Sequence, residues 1–269
     1  MRRLVIVFGA ILFCATALFS QSATDKVLVG YAVVTPSTPI TTGLVAFETI
    51  NQTRSGDTLQ VGVFASDLTL NGLLPVDISK KSSKTLGVAI ANPNPGAANL
   101  TLTLRKTDGT QLTSTTINVP ARQQISKIVT ELFPTPSPGG FSAQTTIPDE
   151  FAGTLIINST SPVSIVGLKF RGLNYSTIPL MDLTPANNPV PAIIQGVGGI
   201  GAILFPQFVT GGVWGTEITL TNTTASNLTV RVDIFDQTGA PLPVKLNNQT
   251  LSSFTNLSVP ANGLLTLAP

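Results

Sequence analysis

Residues 87 to 112 read GVAIANPNPGAANLTLTLRKTDGTQL, and this stretch decides the fold. Leu100, Leu102 and Leu104 interleave with Thr101, Thr103 and Arg105, a period of two that puts apolar side chains on one face of a half-buried strand. Working outward, the same alternation recurs at Leu86-Val88-Ile90, Leu59-Val61-Val63, Val27-Val29-Tyr31-Val33 and Ile218-Leu220. It recurs again where Leu228, Val230, Val232 and Ile234 interleave with Thr229, Arg231, Asp233 and Phe235. Each run is bounded by Gly, Pro, Asn or Asp. Thr dominates the polar face, as expected where branched side chains lie on a pleated surface. The chain is therefore expected to be all-β, with one exception. The spacing of Ile125, Ile128, Val129 and Leu132 predicts two turns of amphipathic helix stopped by Pro134, followed by an exposed loop over 134–140.

A second copy of the opening stretch stands at 215–242, GTEITLTNTTASNLTVRVDIFDQTGAPL. Asn92 matches Asn222, Asn99-Leu100-Thr101 matches Asn227-Leu228-Thr229, and Gly109 matches Gly239. Val119-Pro120-Ala121 likewise matches Val259-Pro260-Ala261. Two immunoglobulin-like β-sandwich units follow from this. The first copy continues through strands at 153–159, 162–172 and 175–183, whereas the second reaches Pro269 without them. The expected layout is a signal peptide at 1–22, an N-terminal β segment at 23–79, a first sandwich unit at 80–183, a linker at 184–201 and an incomplete second unit at 202–269. An unfinished sandwich exposes strand edges, so residues 27–79 are expected to complete the second unit, within the chain or from a neighbour.

The segments GVAIANPN, LTLTLR, ISKIVTELFP, PVSIVGLKFRG, YSTIPL and FPQFVTGGVWGTEITLTN carry a resemblance. Together they resemble an uncharacterised repeat family of predicted exported β-sandwich proteins from environmental Gram-negative bacteria. In tandem members of that family, segments similar to GYAVVT and GLVAFE follow a unit like 205–269 and precede one like 86–183. Here they stand near the N-terminus, as in a permuted repeat. The resemblance implies a bacterial exported protein and brings no catalytic residues.

The N-terminus is consistent with export. Met1-Arg2-Arg3 gives a positive start, Leu4 to Phe19 an apolar run too short to span a bilayer, and Ser20-Gln21-Ser22 a small-x-small cleavage site. Cys14 lies inside that run, preceded by Phe13, and fits lipoprotein processing poorly. Cleavage would remove the sole cysteine, leaving no disulfide, thiol nucleophile or cysteine metal site. It would also remove Arg2 and Arg3 and leave a formally neutral chain, so nucleic acid is not an expected partner. The remaining ~245 residues suffice for two domains of roughly 100 residues each, with no membrane span among them. The expected destination is secreted or cell-surface, with the periplasm as the other compartment.

Chemistry is sparse. The chain has no histidine, which excludes Ser-His-Asp and zinc-histidine sites. Asp149-Glu150 and Asp233 with Asp236 are the nearest carboxylate clusters, and both read as solvated loop or strand-face groups. Gly196-Val197-Gly198-Gly199-Ile200-Gly201 matches a dinucleotide fingerprint by letter, but Pro189, Pro191 and Pro206 exclude the strand and helix it requires, and Glu217 lies on a strand. No Asp-rich calcium loop occurs. No cofactor or metal is expected, nor an enzyme. Trp214, set among Gly211, Gly212 and Gly215, is the one candidate ligand contact, as a sugar-stacking platform or, more simply, a core plug. Asn51, Asn99, Asn158, Asn222 and Asn248 head Asn-x-Ser/Thr triplets, read as chance in a bacterial chain. Lys80, Lys81 and Lys84 read as a solvated linker. The expected function is an exported, non-catalytic structural or adhesive protein acting through surface contacts or strand-mediated assembly. Its partner would be another extracellular or cell-surface protein or a second copy. The alternative is a carbohydrate-binding module taking polysaccharide through Trp214.

Overall fold

The computed structural model describes residues 29–34, 46–54, 57–133, 147–183, 203, 205, 207–212 and 215–269. Nearly all of its regular structure is β. The chain divides into two compact units, the first drawn from Met1–Arg105 and Gln111–Leu183, the second from Lys106–Thr110 and Thr184–Pro269.

In the first unit, β1 (Phe47–Arg54) and β2 (Asp57–Phe64) form an antiparallel hairpin. The main sheet follows, with β3 (Thr69–Ser79), β4 (Lys84–Asn92), β5 (Ala98–Lys106), β6 (Gln111–Val119) and β7 (Gln123–Ile128). After a single helical turn, α1 (Val129–Leu132), come β8 (Glu150–Arg171), β9 (Asn174–Ile178) and β10 (Met181–Asp182). Strand β8 is 22 residues long and serves both layers of a curled, sandwich-like sheet. Its first half pairs with β3, Leu74 opposite Leu155, and neighbours β5 on the other side. Its second half pairs with β4, Ile90 opposite Ile165, and with β9. Alternation supplies the inward faces. Leu74, Leu86, Ile90, Leu100, Leu102, Leu104, Leu155, Ile157 and Ile165 are essentially sealed from water and meet in one core.

Several sequence expectations change here. The strands expected at 153–159 and 162–172 are one strand, carried through Ser159-Thr160-Ser161-Pro162 by the hydrogen bond from the Asn99 N–H to Thr160 Oγ1. The helix expected from Ile125 is strand to Ile128 and helix only over Val129–Leu132, because β4 offers a free edge that β7 pairs residue for residue from Asn92↔Gln123 to Gly87↔Ile128. Ladder hydrogen bonds and branched residues outweigh a three-and-four spacing only eight residues long. Residues 69–79, expected within the segment that completes the C-terminal unit, instead pair with β8 over their whole length and belong to the first unit. The boundary drawn at residue 80 therefore falls in a hairpin turn, with Ser79 paired to Lys84. Residues 29–34, read as strand, join no strand. The loop 134–140 and the signal segment 1–22 lie outside the described residues.

The second unit holds β11 (Ile218–Thr221), β12 (Leu228–Asp233), β13 (Val244–Leu246), β14 (Gln249–Leu251), β15 (Ser253–Val259) and β16 (Leu264–Leu267). They pair two by two, β11 with β16, β12 with β15 and β13 with β14. Ile218, Ile234, Val244, Leu246, Phe254 and Leu267 form its core.

One asparagine pins each unit. Asn92 is fully buried; its Nδ2 donates to the carbonyls of Gly96, Val119 and Pro120, and its Oδ1 accepts from the Asn94 N–H at 3.0 Å. Each bond satisfies a backbone group that the turn after β4 would otherwise leave unpaired. Asn92→Ala is expected to destabilise the protein by about 3 kcal/mol in denaturant unfolding, since it orphans several buried groups at once. Asn99→Ala, at an exposed position, is expected to cost less than about 0.5 kcal/mol.

Candidate functional site: an unpaired strand edge

Asn222 does in the second unit what Asn92 does in the first. Its Nδ2 donates to the Ser226 and Val259 carbonyls and its Oδ1 accepts from the Thr224 N–H at 2.9 Å. The next turns agree as well. The Arg122 N–H donates to the Asn94 carbonyl and the Asn262 N–H to the Thr224 carbonyl, with φ of 54° and 55° at the two donors. Gly109 and Gly239, at φ 83° and 84°, close hairpin turns by donating to the Lys106 and Asp236 carbonyls. Such angles favour glycine.

Strand registers follow the same correspondence. Ala98 lies opposite Val119 as Leu228 lies opposite Val259, and Val88 lies opposite Lys127 as Ile218 lies opposite Leu267. Strands β11, β12, β15 and β16 are thus the counterparts of β4, β5, β6 and β7. The counterpart of Leu228 is Ala98, and the sequence match of Leu100 to Leu228 is two residues out. A shift of two keeps every side chain on its own face, so alternation alone does not detect it.

The counterpart of β8 is missing among the described residues of the second unit. Strand β5 has β6 on one side and β8 on the other, whereas β12 has β15 alone. Strand β4 lies between β7 and β8, whereas β11 has β16 alone. Burial records the difference: Ala98 is 0% exposed and Leu228 is 41% exposed, and Val230 and Val232 are only half-buried where Leu100 and Leu102 are sealed. The Asn99 N–H points toward β8, so the N–H of Thr229, its counterpart, points to the open edge. Both open edges face the place of one absent strand. A row of free backbone donors and acceptors beside exposed apolar side chains is a template for strand addition.

Asp236 fixes the end of β12. Its Oδ1 accepts from the Thr238 hydroxyl at 2.7 Å, the Thr238 N–H and the Ala240 N–H. The Thr238 hydroxyl and these amides hold its carboxyl below the usual carboxylate range. The Thr110 hydroxyl and N–H lower Asp108 in the same way.

The other sequence candidates are occupied structurally or lie elsewhere. Asp149 pairs with Lys80 at 3.3 Å on the surface. Glu150 Oε1 accepts from the Ser79 hydroxyl and the Lys81 N–H, tying down the β3–β4 turn. Asp233 accepts from Arg231 Nε at 2.8 Å and from the Ser253 hydroxyl at 2.6 Å. Lys80, Lys81 and Lys84, read as a linker, belong to that same hairpin, with Lys84 Nζ 2.8 Å from Asp77. Asn222, one of the Asn-x-Thr positions, is buried and holds a turn. Trp214, the G-x-G-x-x-G run at 196–201 and the linker 184–201 lie outside the described residues. No group of three or more His, Cys, Asp or Glu that could hold a metal occurs among the described residues. No helix among them is long and apolar enough to cross a membrane. Sequence reading located β12 but missed Thr229 and Leu228 as an edge, which only the register with β15 reveals.

No family model and no curated protein matches the chain. Among solved structures, the Anabaena sensory rhodopsin transducer is similar at 18% identity over 36% of this chain and 93% of its own, with a TM-score of 0.28. A likeness so slight supports no argument.

The Asp236 turn generates a pH prediction. Its carboxyl titrates lower in the folded than in the unfolded chain, so its contribution is fully present above the ordinary value of 3.8 and is lost as pH falls through the folded value. Asp236→Ala is expected to melt below wild type at neutral pH, with the gap shrinking below about pH 4 in thermal scans.

Proposed function

We propose that this chain is an exported, non-catalytic structural or adhesive protein that works by accepting a strand from another polypeptide along β12. The two corresponding sets of strands are read as copies of one repeat, the second without a closing strand among the described residues. The open edge of β12 is the observation that carries this reading. Leu228 is exposed and the Thr229 N–H is directed outward on a strand whose counterpart in the first unit is covered by β8. Soluble proteins commonly blunt such edges with charge, proline or a bulge. On β12 the charges of Arg231 and Asp233 and a register shift between Val230 and Val232 are such devices, and Leu228-Thr229-Val230 ahead of them carries no charge or proline. The apolar N-terminal run supports export, and a formal net charge of only +2 supports contacts made through backbone and apolar surface over electrostatic capture.

Hydrogen exchange tests the reading. Protein washed gently from the outside of producing cells is expected to show a protected Thr229 amide, and the same protein purified and diluted an exchanging one. Thr229→Pro removes the edge donor while leaving the β12–β15 ladder intact, and should release the protein from its assemblies without lowering its melting temperature. Equal, rapid exchange at Thr229 in both preparations, or retention of the chain in the cytoplasm, overturns it.

A further inference from the structure

The strand that fills the first unit's slot has a second likeness in this chain. In β8, Gly153 is followed by Pro162 nine residues on and Phe170 seventeen residues on; near the N-terminus, Gly30 is followed by Pro39 and Phe47 at the same intervals. Between the first two landmarks the stretches align without a gap, with Tyr31 on Thr154 and Pro36 on Ser159 as the mismatches of class. Val33-Val34 stands for Ile156-Ile157, Ser37-Thr38 for Thr160-Ser161, and Ile40 for Val163. Both stretches lead into a hairpin, β8 into β9 and the N-terminal stretch into β1–β2, and both hairpins are followed by Asp-Leu, at 182–183 and 67–68.

The glycine has a specific reason. Gly153 passes so close to β5 that a Cβ would overlap the Arg105 carbonyl oxygen and lie 2.8 Å from the Phe151 ring. Its neighbours Leu155, Ile157, Val163 and Ile165 point into the core. On the same alternation, Gly30, Ala32 and Val34 form one face of the N-terminal stretch. Among the described residues this segment has no strand partner: residues 29–34 join no strand, a Cβ on Gly30 would meet nothing within 4 Å, and Val33 and Val34 are 69% and 65% exposed.

We infer that residues 30–34 of a second copy of this chain occupy the β8 place of the second unit. There they would lie antiparallel to β12, with Gly30 against the backbone of Phe235, the counterpart of Arg105. One molecule then carries an unused strand and an unfilled slot. Donor and acceptor are different surfaces, so the contact is heterologous and repeats from molecule to molecule. The inference rests on the strand-accepting reading above and adds the identity of the donor.

The test uses the full processed chain, because deleting the N-terminal segment would also remove β3 from the first unit's sheet. Sedimentation velocity is run on wild type, Gly30→Val, Thr229→Pro and an equimolar mixture of the two variants. Wild type is expected to form concentration-dependent oligomers, and each variant alone to remain a monomer with wild-type melting. The mixture should form dimers and stop there, since Gly30→Val keeps only the acceptor and Thr229→Pro only the donor. Oligomers that persist in Gly30→Val but vanish in Thr229→Pro overturn the donor while leaving strand acceptance standing. Oligomers that persist in both overturn both readings. A wild type that stays monomeric at all concentrations overturns self-assembly, and a lowered melting temperature in monomeric Gly30→Val overturns it in favour of closure within one chain.

Discussion

Strand β8 supplies a neighbour to both layers of the first unit, and the rest of that unit is arranged around it. A sandwich built from separate sheets needs an edge solution for each sheet, because every edge strand presents a row of unmet backbone donors and acceptors. A strand that crosses from one layer to the other meets β3 and β5 with its first half and β4 and β9 with its second. The crossing lies at Ser159 to Pro162, where Ser159 Oγ donates to the Ser161 carbonyl and Thr160 Oγ1 takes the Asn99 N–H. Side-chain oxygens there replace ladder bonds that the bend interrupts.

The same constraint explains the contrast between the units. Asn92 and Asn222 build equivalent corners, Gly109 and Gly239 equivalent turns, and the strand pairs hold one register. Local structure is therefore as well determined in the second unit as in the first. What differs is closure. With no strand in the β8 place among the described residues, the inward face of β12 ends in Leu228 at partial exposure, and the core draws on Val244 and Leu246 from the added β13–β14 hairpin. Local bonds can be satisfied strand by strand, while burial of an alternating face needs a second layer.

Much of this was legible in the sequence, and the failures have definite causes. Period-two alternation placed β2, β4, β5, β11 and β12, because half-burial imposes that period directly. The Asn92 and Asn222 match was visible, but their role was not, since an asparagine before a turn reads the same whether exposed or buried. The helix over 125–132 failed because eight residues with branched side chains suit either period, and a free edge on β4 decided the matter. Register was beyond reach wherever a two-residue slip leaves faces unchanged, which is why Leu228 was set against Leu100 and not Ala98. The place of residues 69–79 was missed for a related reason. Leu73-Leu74-Pro75-Val76 is a continuous apolar run, suited to a strand covered on both faces, and such a run does not say which sheet covers it.

The incomplete unit was inferred from strand counting alone, and its geometry now limits what can complete it. An added strand must run beside β12, present small or apolar residues inward at alternate positions, and carry no Cβ where the counterpart of Arg105 brings its carbonyl close. Few segments of this chain meet all three conditions. Strand β6 already pairs its backbone with β5, and the β1–β2 hairpin already pairs its own backbone, with its Gly62 carbonyl accepting from the Thr177 hydroxyl. A stretch with glycine at the right place and unpaired backbone is the remaining kind, and the chain carries it ahead of β1, outside any sheet. On the inference drawn above, order along the chain becomes a physical property of the protein: a closing strand placed before the complete unit would leave the second unit's slot open to another molecule.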